Sequence, residues 1–282
     1  MSMRRRVRGA IELTRPLNAI SAGVLTGTGA YVAGGAVLGA DADVVLAAVV
    51  ATVLATGAGN AVNDYFDREI DRVNRPDRPI PRGAIAPRGA LAFSLLLFAG
   101  AIVAALALPP AAIGLAVFNL VLLVAYTELF KGLPGVGNVV VGFLTGSTFL
   151  FGGAAVGRPF GAGVLFALAA VATVTREIVK DVEDVAGDRE EGLNTLPIAI
   201  GERRALWIGV VILVAAVLAS AGPYVWGTFG SAYLLLIVPA DALMLASAVQ
   251  AFRDPGAAQR RIKVGMLLAV VAFIAGRAVP VG

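Results

Sequence analysis

The chain contains no cysteine and no histidine among its 282 residues. Their absence excludes disulfide bonds, thiolate nucleophiles, Cys or His metal ligands and any catalytic relay through an imidazole. Charged residues are also scarce, at 15% of the chain, and aromatic residues make up 7%. Any chemistry therefore has to come from carboxylates, lysine, arginine, tyrosine and amides.

Hydrophobic residues, by contrast, account for 58% of the chain, and its mean hydropathy is +0.84. These values exclude a disordered chain and are higher than those of ordinary soluble domains. The stretch 205–222 carries no charge at all and is long enough to cross a bilayer. The composition therefore predicts an integral membrane protein.

About nine apolar stretches are long enough to span a membrane at 1.5 Å per residue. They lie at 16–38, 43–66, 90–108, 110–130, 136–156, 161–180, 205–222, 226–250 and 263–280. Glycines in G-x-x-x-G spacing inside them, such as Gly142 and Gly146, indicate helices that pack closely in lipid. We expect an all-α membrane protein, a bundle of nine transmembrane helices.

The 23 lysines and arginines are distributed unevenly between the two sides of this predicted bundle. Only Arg158 and Arg277 fall outside the N-terminal arm and the even-numbered connections. By the positive-inside rule, the N-terminus is then cytoplasmic and the C-terminus lies outside. The net charge of +4 reflects topology and anionic lipid rather than nucleic-acid binding. The basic arm 1–15 suits either an interfacial segment or a topology signal.

The pattern D-x-x-D-x-x-x-D occurs twice, once at the end of the second apolar stretch and once at the end of the sixth. Its members are Asp64, Asp67, Asp71, Asp181, Asp184 and Asp188. A second match follows each, the proline-isoleucine runs 79–83 and 197–201. If this is not coincidence, a single domain 1–282 contains two pseudo-repeat halves, about 16–130 and 136–250, plus a ninth helix.

The spacing i, i+3, i+7 places three carboxylates on one helix face, where they repel one another unless a cation compensates. Surface ion pairs with Arg68, Arg72 and Lys180 are one interpretation. The other is a hard divalent cation such as Mg²⁺, which is commonly shared between protein carboxylates and a substrate phosphate. Further fixed positive charges stand nearby and would suit a diphosphate: Arg75, Arg78, Arg82, Lys131 and Arg176.

At these residues the sequence resembles the UbiA superfamily of intramembrane prenyltransferases. Asn63-Asp64-x-x-Asp67-x-x-x-Asp71 is similar to the first aspartate-rich motif of that family, and Asp184-x-x-x-Asp188, preceded by Asp181, to the second. The early run 15–18 also fits. The resemblance implies a central cavity, with both motifs facing it near the cytoplasmic surface and Mg²⁺ bridging them to a prenyl diphosphate.

The resemblance also implies roles for individual residues. Mg²⁺, bridged through the diphosphate, is expected on Asp64, Asp67, Asp71, Asp184 and Asp188, and Asp181 completes the catalytic set. The residues expected to bind the diphosphate or the rest of the substrate are Asn18, Asn63, Arg72, Lys131, Arg176 and Lys180. Asn138 is a further position suggested by the family.

Two runs, 75–83 and 176–184, look most like the archaeal branch of the family, whose members attach a geranylgeranyl group to geranylgeranylglyceryl phosphate. The expected location is the cell membrane, with the active site facing the cytoplasm and no obligate protein partner. Two alternatives stay open. One is a family member with an aromatic acceptor such as 4-hydroxybenzoate or a quinone or haem precursor, and the other is a secondary transporter.

Several other side chains are candidates for supporting roles. Glu128 and Glu177 lie near predicted cytoplasmic helix ends and are possible proton acceptors, and Asp241 is either buried and functional or solvated at the interface. Aromatic residues that could line a groove for the isoprenoid chain or shield a carbocation are Tyr65, Phe66, Phe118, Tyr126, Phe130, Phe143, Phe149 and Phe151.

Overall fold

The computed structural model describes residues 3–130 and 132–279, and within these ranges every regular element is a helix. The α-helices are α1 (Met3–Leu13), α2 (Pro16–Val32), α3 (Ala42–Phe66), α4 (Arg68–Asn74), α5 (Pro87–Ala105), α6 (Pro110–Ala125), α7 (Val136–Ala155), α8 (Gly163–Glu190), α9 (Leu196–Ile200), α10 (Glu202–Ser220), α11 (Gly222–Val225), α12 (Ser231–Gln250) and α13 (Pro255–Ala278). A π-helical turn, Tyr126–Phe130, follows α6, and a 3₁₀ turn, Pro159–Ala162, precedes α8. The all-α prediction is confirmed.

Each predicted apolar stretch overlaps one of the long helices. Within the described residues, six helical segments are long and apolar enough to cross a membrane: Ala42–Phe66, Pro87–Ala105, Val136–Ala155, Pro159–Glu190, Glu202–Val225 and Ser231–Gln250. The protein is therefore a multi-pass membrane protein. The prediction of nine spans adds three helices, α2, α6 and α13. The first two have 17 and 16 residues, and α13 carries four basic residues.

Proline begins several of these helices, because its missing N–H costs nothing in the first turn. Pro16, Pro87, Pro110 and Pro255 occupy that position in α2, α5, α6 and α13. The last of these helices is also capped by Asp254, whose side chain accepts a hydrogen bond from the Ala257 N–H at 2.9 Å, an arrangement that satisfies an otherwise unpaired donor.

Glycines let α7 approach its neighbours closely, as the spacing predicted. A Cβ atom added at Gly142 would lie 2.7 Å from the carbonyl oxygen of Ala170 in α8, and one added at Gly146 would lie 2.7 Å from the Phe166 oxygen. On the other side of α7, a Cβ at Gly152 would collide with the Thr26 carbonyl of α2. Backbone thus packs against backbone on both faces of this helix.

Helix α7 also lies between the two helices that carry the aspartate motifs. Both α3 and α8 pack against it, as do α2 and α6. Two of its aromatic residues, Phe149 and Phe151, are 1% and 8% exposed and belong to separate core clusters. For these two candidates, ordinary helix packing explains their presence.

Candidate active site

The first aspartate motif begins in the last turns of α3 and continues into α4. Asp67, which separates the two helices, keeps helical hydrogen bonds on both sides: its N–H donates to the Asn63 oxygen, and its oxygen accepts from the Asp71 N–H, both at 2.9 Å. The chain therefore follows a nearly continuous helical path. Asp64 and Asp71, two turns apart, point to the same side.

These two carboxylates share one guanidinium. Arg78 Nη1 lies 2.5 Å from Asp71 Oδ2 and 3.1 Å from Asp64 Oδ1, and Arg15 Nη2 lies 2.7 Å from the same Asp64 oxygen. Both aspartates are 4% exposed. A buried carboxylate pair is stable only when a cation compensates its charge, and here two arginines do so.

Sequence reasoning named Arg78 among the charges that suit a diphosphate, but it paired neither Arg78 nor Arg15 with these aspartates. Arg15 stands 49 residues before Asp64 and was read as part of the basic arm, while Arg78 was one of several charges in the loop after α4. Arg15 also has φ +46, in the left-handed region, which among described residues no other non-glycine shares. This unusual backbone at the start of α2 is a conformation that no sequence pattern predicted.

Helix α1 packs on the loop that carries Arg78. Glu12 forms ion pairs with Arg82 of that loop and with Arg8, whose Nε lies 2.9 Å away. The Arg82 guanidinium, assisted by Arg8, holds the pKa of Glu12 below its ordinary value. An added Cβ at Gly9 would lie 3.1 Å from the Ala84 side chain. The arm thus supports the site.

The remaining candidates of the first motif lie around this pair. Asn63 and Asp67 are exposed, as is Asn18 in the first turn of α2. Arg72 Nη1 pairs with Glu69 at 2.6 Å, and both of these side chains are 63% exposed. No ion pair among the described residues joins Arg72 to an aspartate of the motif.

The second motif lies in the last turns of α8. Asn138, at the start of α7 and 6% exposed, donates from Nδ2 to Asp181 Oδ2 at 2.7 Å. Lys180 Nζ lies 3.8 Å from Asp184 Oδ2, where Asp184 is exposed and Asp188 half-buried. Asn138, a position that the family resemblance suggested, thus contacts the first aspartate of this motif.

A pocket of about 30 Å³ opens beside Asp181, which is room for about one water molecule. It is lined by Tyr126, Leu133, Gly137, Asn138, Val141, Glu177, Asp181 and Thr195. The Glu177 carboxylate also pairs with Arg176 Nη1 at 2.6 Å. Lys131 falls outside the described residues, and so does the side chain of Glu128.

Asp241 does not belong to either motif. It is 7% exposed and accepts a hydrogen bond from Ser220 Oγ at 2.6 Å, while the Tyr233 hydroxyl donates to the Ser220 backbone oxygen at 2.7 Å. Of the two alternatives for this residue, solvation at the interface is wrong, and of the other the burial alone is observed. Its partners join α12 to the end of α10, which is a packing role.

The two motifs flank α7 without touching through the described side chains. No hydrogen bond or ion pair among these residues joins them, and no three described acidic side chains are close enough to hold a metal ion by themselves. The residues nevertheless suit Mg²⁺, because Asp64 and Asp71 are buried carboxylates that already pair with the cationic guanidinium groups of two arginines, and Mg²⁺ prefers oxygen ligands of this kind. A metal between the motifs would need oxygens from a bound ligand as well.

Comparison with known proteins extends this picture to the whole chain. Residues 22–274 match the UbiA prenyltransferase family. The digeranylgeranylglyceryl phosphate synthase of Natronomonas pharaonis is 60% identical over 96% of this chain and 98% of its own. A solved structure concerning digeranylgeranylglyceryl phosphate synthase superposes with a TM-score of 0.82 at 33% identity, covering 96% and 98% of the two chains.

A more distant relative shows the same fold with ligands bound. This structure of a UbiA homologue from Archaeoglobus fulgidus, bound to GPP and Mg²⁺, has a TM-score of 0.66 and 18% identity. It covers 96% of this chain and all of that one. At this identity the likeness concerns the fold alone.

Proposed function

Because the chain belongs to the UbiA prenyltransferase family, we propose that it transfers a geranylgeranyl group from its diphosphate to the hydroxyl of geranylgeranylglyceryl phosphate. The observation that carries this proposal is the buried pair Asp64 and Asp71, held by two arginines at the end of a membrane-spanning helix. The 60% identity to a digeranylgeranylglyceryl phosphate synthase favours this acceptor over an aromatic one. Membership of an enzyme family likewise argues against a transporter.

The proposed topology adds α2, α6 and α13 to the six membrane-spanning segments, for nine in all. We propose that the chain forms a single domain, 1–282. Its two halves, about 16–130 and 136–250, each place an aspartate motif at the end of a long helix. The concentration of basic residues at the motif end supports a cytoplasmic N-terminus and a cytoplasm-facing site in the cell membrane.

In the proposed site, Mg²⁺ is held by Asp64, Asp67, Asp71, Asp184 and Asp188, with Asp181 beside them. When bound, the metal supplies charge neutralisation for the departing diphosphate. Asn63, Lys180, Arg176, Arg72, Lys131 and Asn18 are proposed to bind the diphosphate or the remainder of the substrate. The positive charges of these side chains are already in position, so the site does not have to rearrange when negative charge develops on the leaving diphosphate.

Three other residues position the acids. Arg78 and Arg15 hold Asp64 and Asp71 on one side of the helix path, and the Asn138 amide orients the Asp181 carboxylate. Glu177 and Asp181 line a pocket of about one water's volume. Either carboxylate is a candidate to accept the proton that the acceptor hydroxyl releases.

The bilayer explains why such a reaction needs this fold. Removing each CH₂ of an isoprenoid chain from water contributes about 0.8 kcal/mol, so donor and acceptor both partition into the membrane. Their phosphates stay at its surface, which is where the ends of α3 and α8 present the acidic motifs.

The test is an assay of the purified protein with labelled geranylgeranyl diphosphate, Mg²⁺ and a panel of acceptors. We expect the wild type to prenylate geranylgeranylglyceryl phosphate and not 4-hydroxybenzoate. An Asp71→Asn variant should lose at least about 100-fold in rate, as when a charge-stabilising group is removed from a site. The matched control, Asp43→Asn at the exposed start of α3, the helix that leads into the motif, should keep the wild-type rate.

Two results would count against the proposal. Prenylation of the aromatic acceptor alone would show that the acceptor is wrong, and an Asp71→Asn variant with wild-type turnover would remove the first motif from the metal site.

A further inference from the structure

Arg158 and Arg277, the two basic residues that the charge distribution separates from all others, meet at one point. Arg158 precedes the 3₁₀ turn Pro159–Ala162, and Arg277 lies in the last turn of α13. Arg158 Nη1 donates to the Gly34 carbonyl oxygen at 2.5 Å. An ideal Cβ on Gly34 would lie 2.8 Å from this nitrogen and 3.2 Å from Arg277 Nη2. The two guanidiniums are therefore neighbours.

This meeting point lies at the opposite end of the bundle from the aspartate motifs. Asn138, which contacts Asp181, stands at the start of α7, and Arg158 follows the end of the same helix. With 20 residues in α7 and a rise of 1.5 Å per residue, the two ends are roughly 30 Å apart, about the thickness of a hydrocarbon core.

No carboxylate of the described residues compensates these two arginines. Among the described residues, neither forms an ion pair, although nine other pairs are present. The acidic side chain on the same loop, Asp41, instead accepts a hydrogen bond from the Ala36 N–H at 2.7 Å. Two adjacent like charges repel each other, and an anion between them would remove that repulsion.

The surroundings of the pair are apolar and exposed. Phe160, two residues after Arg158, is 91% exposed, and Leu38 on the Gly34 loop is 98% exposed. Trp226, between α10 and α12, is 71% exposed. Phe229 of that connection packs near Gly276 of α13, so this tryptophan belongs to the same end. Exposed tryptophan and apolar side chains beside arginine are typical of the level at which lipid headgroups meet their chains.

We propose that Arg158 and Arg277 bind the phosphate of an anionic membrane lipid in the leaflet opposite the candidate active site. Guanidinium groups match phosphate oxygens in geometry as well as charge. The exposed Phe160 and Leu38 side chains would contact the chains of the same lipid, which a soluble anion does not have. Positive charge on this side opposes the usual topology signal, so binding accounts for its presence.

The test is thermal unfolding of the full chain in detergent with added phosphatidylglycerol, phosphatidylcholine or soluble glycerol phosphate, without prenyl substrate. We expect phosphatidylglycerol to raise the unfolding temperature of the wild type by several degrees more than phosphatidylcholine does. The double variant Arg158→Gln/Arg277→Gln should lose this difference. The control Arg203→Gln/Arg204→Gln, with the same charge change at two exposed arginines of α10, should keep it.

A single variant, Arg277→Gln, leaves the Arg158 bond to Gly34 in place and separates binding from loop stability. It should lose most of the phosphatidylglycerol effect while matching the wild type in phosphatidylcholine. An unchanged phosphatidylglycerol effect in both variants would overturn the proposal. So would an equal stabilisation by glycerol phosphate, because the site would then be one for small anions. Since no donor or acceptor is present, these outcomes are independent of the prenyl-transfer proposal.

Discussion

Replacing Arg78 with glutamine tests the central feature of the candidate site, the arginine shared by two buried carboxylates. Asp71 loses its partner at 2.5 Å, and of its two described ion-pair partners Asp64 keeps Arg15, whose side chain is 42% exposed and therefore partly screened by solvent. Breaking a buried ion pair from one side costs about 3–5 kcal/mol. Because Arg15 still compensates one aspartate, we expect a loss near the lower end, about 3 kcal/mol.

The measurement is equilibrium unfolding in mixed detergent micelles with EDTA present. A second variant, Arg78→Gln/Asp71→Asn, removes both charges of the closest pair. It should recover much of the lost stability, because an uncompensated buried carboxylate and not the missing contact causes most of the loss. If Arg78→Gln unfolds within about 0.5 kcal/mol of the wild type, as an exposed substitution would, the carboxylates are solvated and the reasoning fails.

Added Mg²⁺ should reduce the difference in stability between the wild type and the Arg78→Gln variant. In the wild type a metal at the first motif competes with the Arg78 guanidinium for Asp64 and Asp71, whereas in Arg78→Gln it competes only with Arg15 at Asp64. Mg²⁺ should therefore stabilise the variant more than the wild type, by an amount that grows with the logarithm of its concentration. Equal stabilisation of both proteins would show that Arg78 and the metal do not compete.

Two further substitutions test the packing and the second motif. Gly152→Ala would drive its methyl group into the Thr26 carbonyl of α2 and should destabilise the protein by about 3 kcal/mol or more. Its control, Gly59→Ala in α3, has no atom within 4 Å of the new Cβ and should be neutral or slightly stabilising. Chemical unfolding of both variants checks this, and equal effects would contradict the close crossing of α7 and α2. Asn138→Leu removes the donor to Asp181 and should lower the rate of prenyl transfer by about 10- to 100-fold while the fold is retained. Turnover measures the rate, and circular dichroism checks the fold. Unchanged turnover would exclude a positioning role for Asn138.

The positions of the helices were predictable from the sequence because they depend on local properties. A long run without charge is expensive to leave in water and finds its place in a bilayer whatever it packs against. The aspartate motifs were predictable for the same reason, since their spacing is set within two turns of one helix. Even the tight contacts of Gly142 and Gly146 followed from short-range spacing.

The partners of the aspartates were not predictable in this way. The sequence offered Arg68 and Arg72 as compensating charges beside the first motif, but both pair with Glu69. The compensating arginines are instead Arg15 and Arg78, which the folding of α1, α2 and the loop after α4 brings to the site.

The amino-acid sequence by itself thus determined a helical membrane protein with two acidic motifs and an uneven charge distribution, because each of these is a property of neighbouring residues. Only the tertiary structure decided which arginines neutralise Asp64 and Asp71. It also decided that a small pocket lies beside Asp181 and that Arg158 and Arg277 meet at Gly34. Each of these depends on how distant helices pack, and packing is set by shape complementarity between side chains that no local pattern specifies.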